Sequence, residues 1–250
     1  MSQTVHRAIA IINYLSQGSR SLIEVTDLLE THKSTALRLL QTLEEEGFAR
    51  RTRDARWVVG PKLIQIGQQS LDSLDARAVA GPYLRQLEKI CGHTIHLAQL
   101  IGKEVIYIDK IEGSDRVRMY SSVGKKVPIY ASGIGKCIFA YLEDPLMEEI
   151  LESLEFEKYT SRTIMSPAEL LTERKLIRKN GWAVDDGEFE LGMNCIAAPI
   201  YNGRGQVRAG LSITTLQVVS PISKLKKYIP DLLATAQEIS KELGWKPGNK

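Results

Sequence analysis

The chain has few cysteines and histidines, no long apolar run and almost no net charge. Its 250 residues contain three cysteines, Cys91, Cys137 and Cys195, far apart, odd in number and without a C-x-x-C pair. This excludes a disulfide framework and a structural zinc site, and free thiols read as a reducing compartment, so a cytoplasmic protein is expected. His6, Arg7 and Asn13 interrupt the first fifteen residues, which removes a signal-peptide core. No stretch approaches the ~18 apolar residues of a membrane span. Lys and Arg number 33 against 30 Asp and Glu, a net +3, so any nucleic-acid surface must be a local concentration of charge. Internal repeats and low-complexity tracts are also lacking. What remains is a chain with 43% hydrophobic and 25% charged residues, ordinary for a globular protein of one large domain or two modest ones.

The first 60 residues read as three helices and a hairpin. Ile9, Ile12 and Leu15 lie at helical spacing before Gly18. Ser21 with Glu24 three residues on is a capping-box signature, and Val25, Leu28 and Leu29 form the apolar stripe of a short second helix. A turn at residues 30–32 leads to a third helix from about Lys33 to Glu46, stopped by Gly47. Its periodicity places Ala36, Leu37, Leu39, Leu40 and Leu43 on one face and Ser34, Thr35, Arg38, Gln41, Thr42 and Glu45 on the other. Two short β-prone runs around residues 52–55 make a hairpin. Five basic residues stand against one acidic over residues 47–62, a local +4 that exceeds the charge of the whole chain. A polar helix face followed by a basic hairpin is the pattern of a winged helix-turn-helix, in which the helix meets base edges and the wing meets phosphates. The candidate DNA contacts are Lys33, Ser34, Thr35, Arg38, Gln41 and Thr42 on the helix and Arg50, Arg51, Arg53 and Arg56 in the wing. A three-helix packing unit with a solvated polar face is the plainer alternative.

Pro61 to about Ala80 is helical in pattern and reads as a linker helix. Beyond it the texture changes. A helix over Tyr83–Ile90 precedes strand-like runs at Thr94–Ile101 and Glu104–Ile111, with another strand at Arg116–Ser122. Helices follow at Gly133–Leu142, Leu146–Glu152 and Pro167–Asn180. Strands then come at Trp182–Asp185, Asn194–Ile200 and Val207–Thr215, and one long helix over Ile222–Leu243 ends the series. The mixed order predicts an α+β domain on an antiparallel sheet. The expected organisation is a DNA-binding domain at 1–60, a linker helix at 61–80 and a second domain at 81–250.

Three features of the second domain bear on chemistry. Gly133 and Gly135 open a helix in Ser132-Gly133-Ile134-Gly135-Lys136, where free N–H groups suit an anion, though the glycines equally permit close helix–sheet packing. Residues 185–199 run from an acidic loop into an apolar strand carrying Cys195. A Cys195/Asp185/Glu188 hydrolase or isomerase site is the enzymatic alternative. It lacks a base, because the four histidines His6, His32, His93 and His96 lie far away in sequence, so a buried structural thiol is expected. His93 and His96, three apart in a strand, point to opposite faces and make poor chelators. In Val207–Thr215 the alternation puts Arg208, Gly210, Ser212 and Thr214 on one side, a small polar face that suits a ligand pocket or solvent.

Lys33-Ser34-Thr35-Ala36-Leu37-Arg38-Leu39-Leu40, Ser132-Gly133-Ile134-Gly135-Lys136 and the Asp185–Pro199 run, in that order, resemble the IclR family of bacterial transcriptional regulators over nearly the whole chain. The resemblance implies a winged helix-turn-helix, a linker helix and a GAF-like effector domain. It implies dimers or tetramers on palindromic operator DNA, repression of a catabolic operon, no enzymatic activity and no metal or cofactor. Carried over by position, the effector site comprises Met119, Val127, Gly133, Ile134, Asp185, Met193, Cys195, Ser212 and Thr214. The helix-start N–H groups favour a carboxylate, and Asp185, Ser212 and Thr214 favour hydroxyls. A small carboxylic or sugar acid is therefore the expected effector, in preference to an aromatic, since Tyr120 and Tyr130 are the only nearby aromatics in the sequence. The stretch from Val117 to Tyr130 is similar to family members that control sugar-acid use, the ketodeoxygluconate regulon repressors among them. Two positions depart from the family pattern: Glu30-Thr31 stands where a glycine and an apolar residue are common, and His93 where a glutamate is common. The first predicts strain in the turn if it needs positive φ.

Overall fold

The computed structural model describes residues 2–66, 76–114 and 121–247. The chain divides into two compact units, 1–74 and 75–250. No helix among the described residues is long and apolar enough to cross a membrane.

The first unit contains α1 (Gln3–Leu15), α2 (Leu22–Leu28), α3 (Lys33–Glu45), β1 (Ala49–Arg51) and β2 (Trp57–Val59), with helical residues at 62–66. Both halves of the expected capping box form at α2: Glu24 N donates to Ser21 Oγ at 3.2 Å, and Ser21 N donates to Glu24 Oε2 at 2.7 Å. The core is Ile11, Leu15, Val25, Leu29, Ala36, Leu40, Leu43, Ala49 and Trp57. The stripe of α1 differs from the sequence reading, since Ile11 is fully buried while Ile9 is 52% exposed. Leu28 is likewise exposed at the end of α2. Three helices surround a core of nine residues, which is too small to take every leucine and isoleucine at helical spacing. Trp57 ties the wing to this core, and its backbone exchanges hydrogen bonds of 2.8 and 2.7 Å with Arg20. Glu30, in the turn before α3, adopts φ +45°, the left-handed region in which a side chain is strained.

The second unit contains α4 (Ala76–Cys91), β3 (Thr94–Ile101), β4 (Glu104–Ile111), β5 (Lys126–Val127), α5 (Gly133–Ala140), α6 (Asp144–Ser153), α7 (Pro167–Asn180), β6 (Ala183–Asp186), β7 (Met193–Tyr201), β8 (Val207–Leu216), α8 (Ile222–Leu225) and α9 (Ile229–Glu242). Six strands form one antiparallel sheet in the order β5-β4-β3-β8-β7-β6. Strand alternation splits the apolar residues between two cores. Ile95, Leu97, Ile196, Ala198, Leu211 and Ile213 pack with α4 and α9. Ala98, Leu100, Val105 and Ala197 pack with α5, α6 and α7. Both faces of the central strands are therefore covered, and the polar side of β8 is not a solvent face. Gly210 lets α5 lie against it, since a Cβ there would stand 3.1 Å from Ile134 and 3.2 Å from Ile138.

Two expectations are corrected. The helix expected from Tyr83 begins at Ala76 and carries Pro82 inside it, held by the buried stripe Ala80, Leu84, Leu87 and Cys91. The single closing helix is instead α8, a 3₁₀ turn at Lys226–Tyr228 and then α9. Pro230 has no N–H to donate and is best accommodated in a first helical turn, where it stands at the start of α9. The strand expected at Arg116–Ser122 lies, up to Tyr120, outside the described residues, and Ser121 and Ser122 belong to no element.

Candidate functional site

In the first unit α3 buries Ala36, Leu40 and Leu43. This leaves Lys33, Ser34, Arg38, Gln41 and Thr42 exposed and Thr35 half-buried on the outer side. Thr42 Oγ1 donates to the Arg38 carbonyl at 3.1 Å. In the wing Arg50, Arg51 and Arg53 are exposed. Arg51 lies 6.0 Å from the Trp57 ring centroid, and its N–H donates to Glu44 at 3.1 Å. Arg56 is placed differently from the rest of the row. Its Nη2 lies 2.9 Å from Glu24 Oε2 and 3.0 Å from the Ser19 carbonyl, and its Nε lies 3.2 Å from Ser19 Oγ. It anchors the wing to the start of α2. The Ser21 N–H and hydroxyl, followed by Arg56 and Arg20, hold the Glu24 carboxyl below its ordinary range.

The second unit contains a cavity of about 190 Å³ between the polar side of the sheet and the start of α5. Adjacent strands supply its floor: His96 from β3, Tyr107 from β4, Asp185 from β6, Cys195 from β7 and Thr214 from β8. Ser132 and Ile134 come from the start of α5. Ser121, Lys125 and Lys126 close one side, and Phe189, Glu190 and Met193 close the other. Ser132 caps α5 by accepting from Gly135 N at 3.1 Å. The helix can approach because Gly135 has no Cβ, which would come within 2.6 Å of the Pro128 carbonyl.

Of the expected effector residues, Ile134, Asp185, Met193, Cys195 and Thr214 line this cavity. Gly133 stands directly behind its wall, where a Cβ would meet Cys195 Sγ at 3.0 Å. Ser212 is buried beside His96 and Ala197, its register partners, off the cavity surface. Val127 lines a neighbouring surface cleft with Tyr130 and Tyr159. Met119 lies outside the described residues. The wall does not disfavour an aromatic ligand, contrary to the expectation from sequence: Tyr107 and Phe189 are both in it, while Tyr130 packs on Phe156.

His96, Tyr107, Ser121, Ser132, Lys125, Lys126, Phe189 and Glu190 also line the cavity, beyond the residues expected from the sequence. His96 carries a signal, as the one titratable side chain in the run Thr94–Ile101. Its ring bridges the site, with Nε2 2.7 Å from Ser121 Oγ and Nδ1 3.2 Å from Thr214 Oγ1. Burial, reinforced by Lys110, pushes this imidazole down to about 3, so it stands neutral, one ring nitrogen donating and the other accepting. His93 faces away toward Tyr228, as the strand alternation requires.

Charge is concentrated behind Asp185. Lys136 is 1% exposed, and its Nζ lies 2.5 and 2.6 Å from the two Glu188 oxygens and 3.4 Å from Glu173. It is therefore spent on carboxylates and does not reach the anion position at the helix start. Glu188 N donates to Asp185 Oδ1 at 2.7 Å. Burial pushes Asp185 up to about 6, against the opposing pull of the Glu188 N–H and Lys136. Burial likewise pushes Glu188 up to about 7, against Lys136. The Cys195 thiol is pushed up to about 12 by burial and by Asp185. A buried thiol held neutral, in the same cavity wall as an engaged, neutral imidazole, makes a poor nucleophile.

The comparisons agree with this geometry. Residues 4–53 match the IclR helix-turn-helix domain, and residues 68–241 match the bacterial transcriptional regulator IclR C-terminal domain. The HTH-type transcriptional regulator KdgR of Escherichia coli is 33% identical over 232 residues, covering 91% of this chain and 88% of that protein. XynR of the same organism is 31% identical over 246 residues, covering 97% and 98%. The crystal structure of IclR from Thermotoga maritima, at 35% identity, covers 97% of this chain and 99% of that one with a TM-score of 0.66. These relatives are transcriptional regulators, and nothing among them supports the hydrolase or isomerase alternative. A helix-turn-helix followed by a basic hairpin in one unit, a cavity with polar side chains in its wall in the other, and family matches over both establish that the chain belongs to the IclR family of bacterial transcriptional regulators, which are not enzymes.

Proposed function

We propose that the chain represses a catabolic operon by binding a palindromic operator as a dimer or tetramer, and that a small carboxylic or sugar acid in the second unit controls that binding. The observation that carries the effector reading is the cavity itself. Its volume of about 190 Å³ is somewhat above the ~150 Å³ that holds a benzene, and its wall combines Thr214, Ser121, Ser132, Asp185 and two lysines with apolar Ile134, Met193 and Phe189. The first-turn N–H groups of α5, at Gly133 and Ile134, have no partner within the helix and suit a carboxylate. Neutral His96, Thr214 and Asp185 suit hydroxyl or keto oxygens. On the DNA side, Arg38, Gln41, Ser34 and Lys33 read base edges while Arg50, Arg51 and Arg53 hold phosphates. The linker expected at 61–80 falls, over residues 67–75, outside the described residues; a difference in effector affinity between two states has to reach the DNA-binding unit through this stretch of chain.

Thermal-shift screening of small sugar acids, followed by gel-shift titration on the operator, tests this reading. A ligand at about 100 times its Kd adds about 2.7 kcal/mol, or roughly 5–10 °C in the melting of a unit this size. The same acid should change operator affinity. An acid that fills the cavity and leaves operator affinity unchanged would remove the coupling. Arg38→Ala should weaken specific operator binding by about 1–3 kcal/mol with stability unchanged, measured by binding at fixed salt. Unaltered affinity would move base recognition off α3.

A further inference from the structure

The charge behind the cavity is unbalanced. Lys136 faces Glu188 through both carboxylate oxygens and Glu173 at 3.4 Å, so its positive charge is already matched. Asp185, 5% exposed and part of the cavity wall, receives a backbone N–H from Glu188 and feels Lys136 only through space. An anion in so small a cavity must lie close to this carboxyl. The groups that share the cavity floor with Asp185 do not offset it. From β3 comes His96, which is neutral. From β4 comes Tyr107, whose hydroxyl burial pushes further up, and from β7 comes Cys195, a neutral thiol. The connection between β6 and β7 adds Glu190 beside Glu188, while Asp186 on β6 is paired to Arg162 at 2.9 Å. Lys125 and Lys126 stand at the cavity side, with Lys126 paired to Glu104.

We propose that an acidic effector enters this cavity together with one proton, which the Asp185–Glu188 pair takes up. The inference rests on the acid-effector reading above and adds its regulation, making the regulator's response to an acid depend on pH. The two carboxyls are linked through the Glu188 backbone and share Lys136, so a proton gained by either relieves the repulsion on the bound anion. Protonated, Asp185 also becomes a hydrogen-bond donor to an effector oxygen. Burial already holds the pair at about 6 and about 7, and a nearby anion raises both further. Affinity is then greatest below about pH 6 and weakens as pH rises through the unliganded values, by about tenfold per pH unit for one linked proton. It levels off once pH exceeds the value in the complex.

Calorimetric titration of the full chain tests this, using gluconate, galactonate and pyruvate as acids and glucitol as the uncharged control. Runs span about pH 5.5–8.5 in paired buffers of different ionisation enthalpy, which count protons directly. Expected are uptake of about one proton per bound acid near pH 7.5 and the loss of affinity with rising pH. Asp185→Asn should abolish most of the uptake and hold affinity near the wild-type low-pH value, and Glu188→Gln should reduce uptake. Binding of an acid with pH-independent affinity and no uptake would overturn the inference while leaving the acid effector standing. Undiminished uptake in both variants would also overturn it. Binding of glucitol alone, or of no acid at any pH, would overturn both readings.

Discussion

The two units treat charge in opposite ways. The DNA-reading unit keeps Arg50, Arg51 and Arg53 at the surface around a nine-residue core, and Arg56, paired to Glu24, has a side chain still 36% exposed. The sensor unit buries a lysine at 1% exposure against two glutamates, within its larger core. A surface ion pair is screened and costs little to lose, whereas a buried one leaves an uncompensated charge when broken. The same residue types therefore give a tolerant exterior in one unit and a sensitive interior in the other.

That contrast is broken most strongly at Lys136. Lys136→Met should destabilise the second unit by about 3–5 kcal/mol, read as a shift of its urea transition with the first unit unmoved. The deficit should shrink toward pH 5, where Glu188 is protonated. A loss below about 0.5 kcal/mol at pH 8 would show that the cluster contributes no more than a surface pair.

Asp185→Asn sharpens the comparison next. Asp185 and Glu188 hold protons more tightly folded than unfolded, so they lower stability as pH rises from the ordinary carboxylate range through about 6 and 7. Replacing Asp185 should flatten that decline and raise stability at pH 8 by about 1–2 kcal/mol in denaturant titrations. A variant with the wild-type slope would contradict the assignment.

Arg56→Ala should cost about 1 kcal/mol in the first unit, mostly through the hydrogen bonds to Ser19, with little salt dependence. If operator affinity falls well beyond that change, Arg56 also meets phosphate. The smallest effect is a gain. Glu30→Gly should stabilise the first unit by about 0.5–1 kcal/mol by relieving the left-handed backbone, net of the extra freedom of glycine when unfolded. Equal melting temperatures would mean that the turn holds Glu30 without strain.

Features set by local spacing were legible in the sequence. The capping box, the bounds of α7, the polar side of α3 and the alternation of β8 all depend on neighbours within four residues. The strain at Glu30 was legible as well, because one residue type conflicts with one backbone region. The cavity was only half legible. Asp185, Cys195 and Thr214 sit in recognisable runs, but His96 reaches Thr214 across 118 positions, and Lys136 meets Glu188 across 52. Those meetings follow from strand order and from the seat of α5 on Gly210, which periodicity does not encode. Pro230 breaks the last helix by a rule as local as the capping box.

The sheet order sets a timetable for synthesis. β3 lies beside β8, so the centre of the sensor sheet stays open until residue 216 has left the ribosome. The DNA-reading unit has all its core residues by Trp57. At roughly 5–20 residues per second, the interval between the two is on the order of 10–30 s. During that time a finished DNA-reading unit is tethered to an unfinished sensor whose apolar strands are exposed, which makes the nascent sensor the part of the molecule most dependent on chaperones.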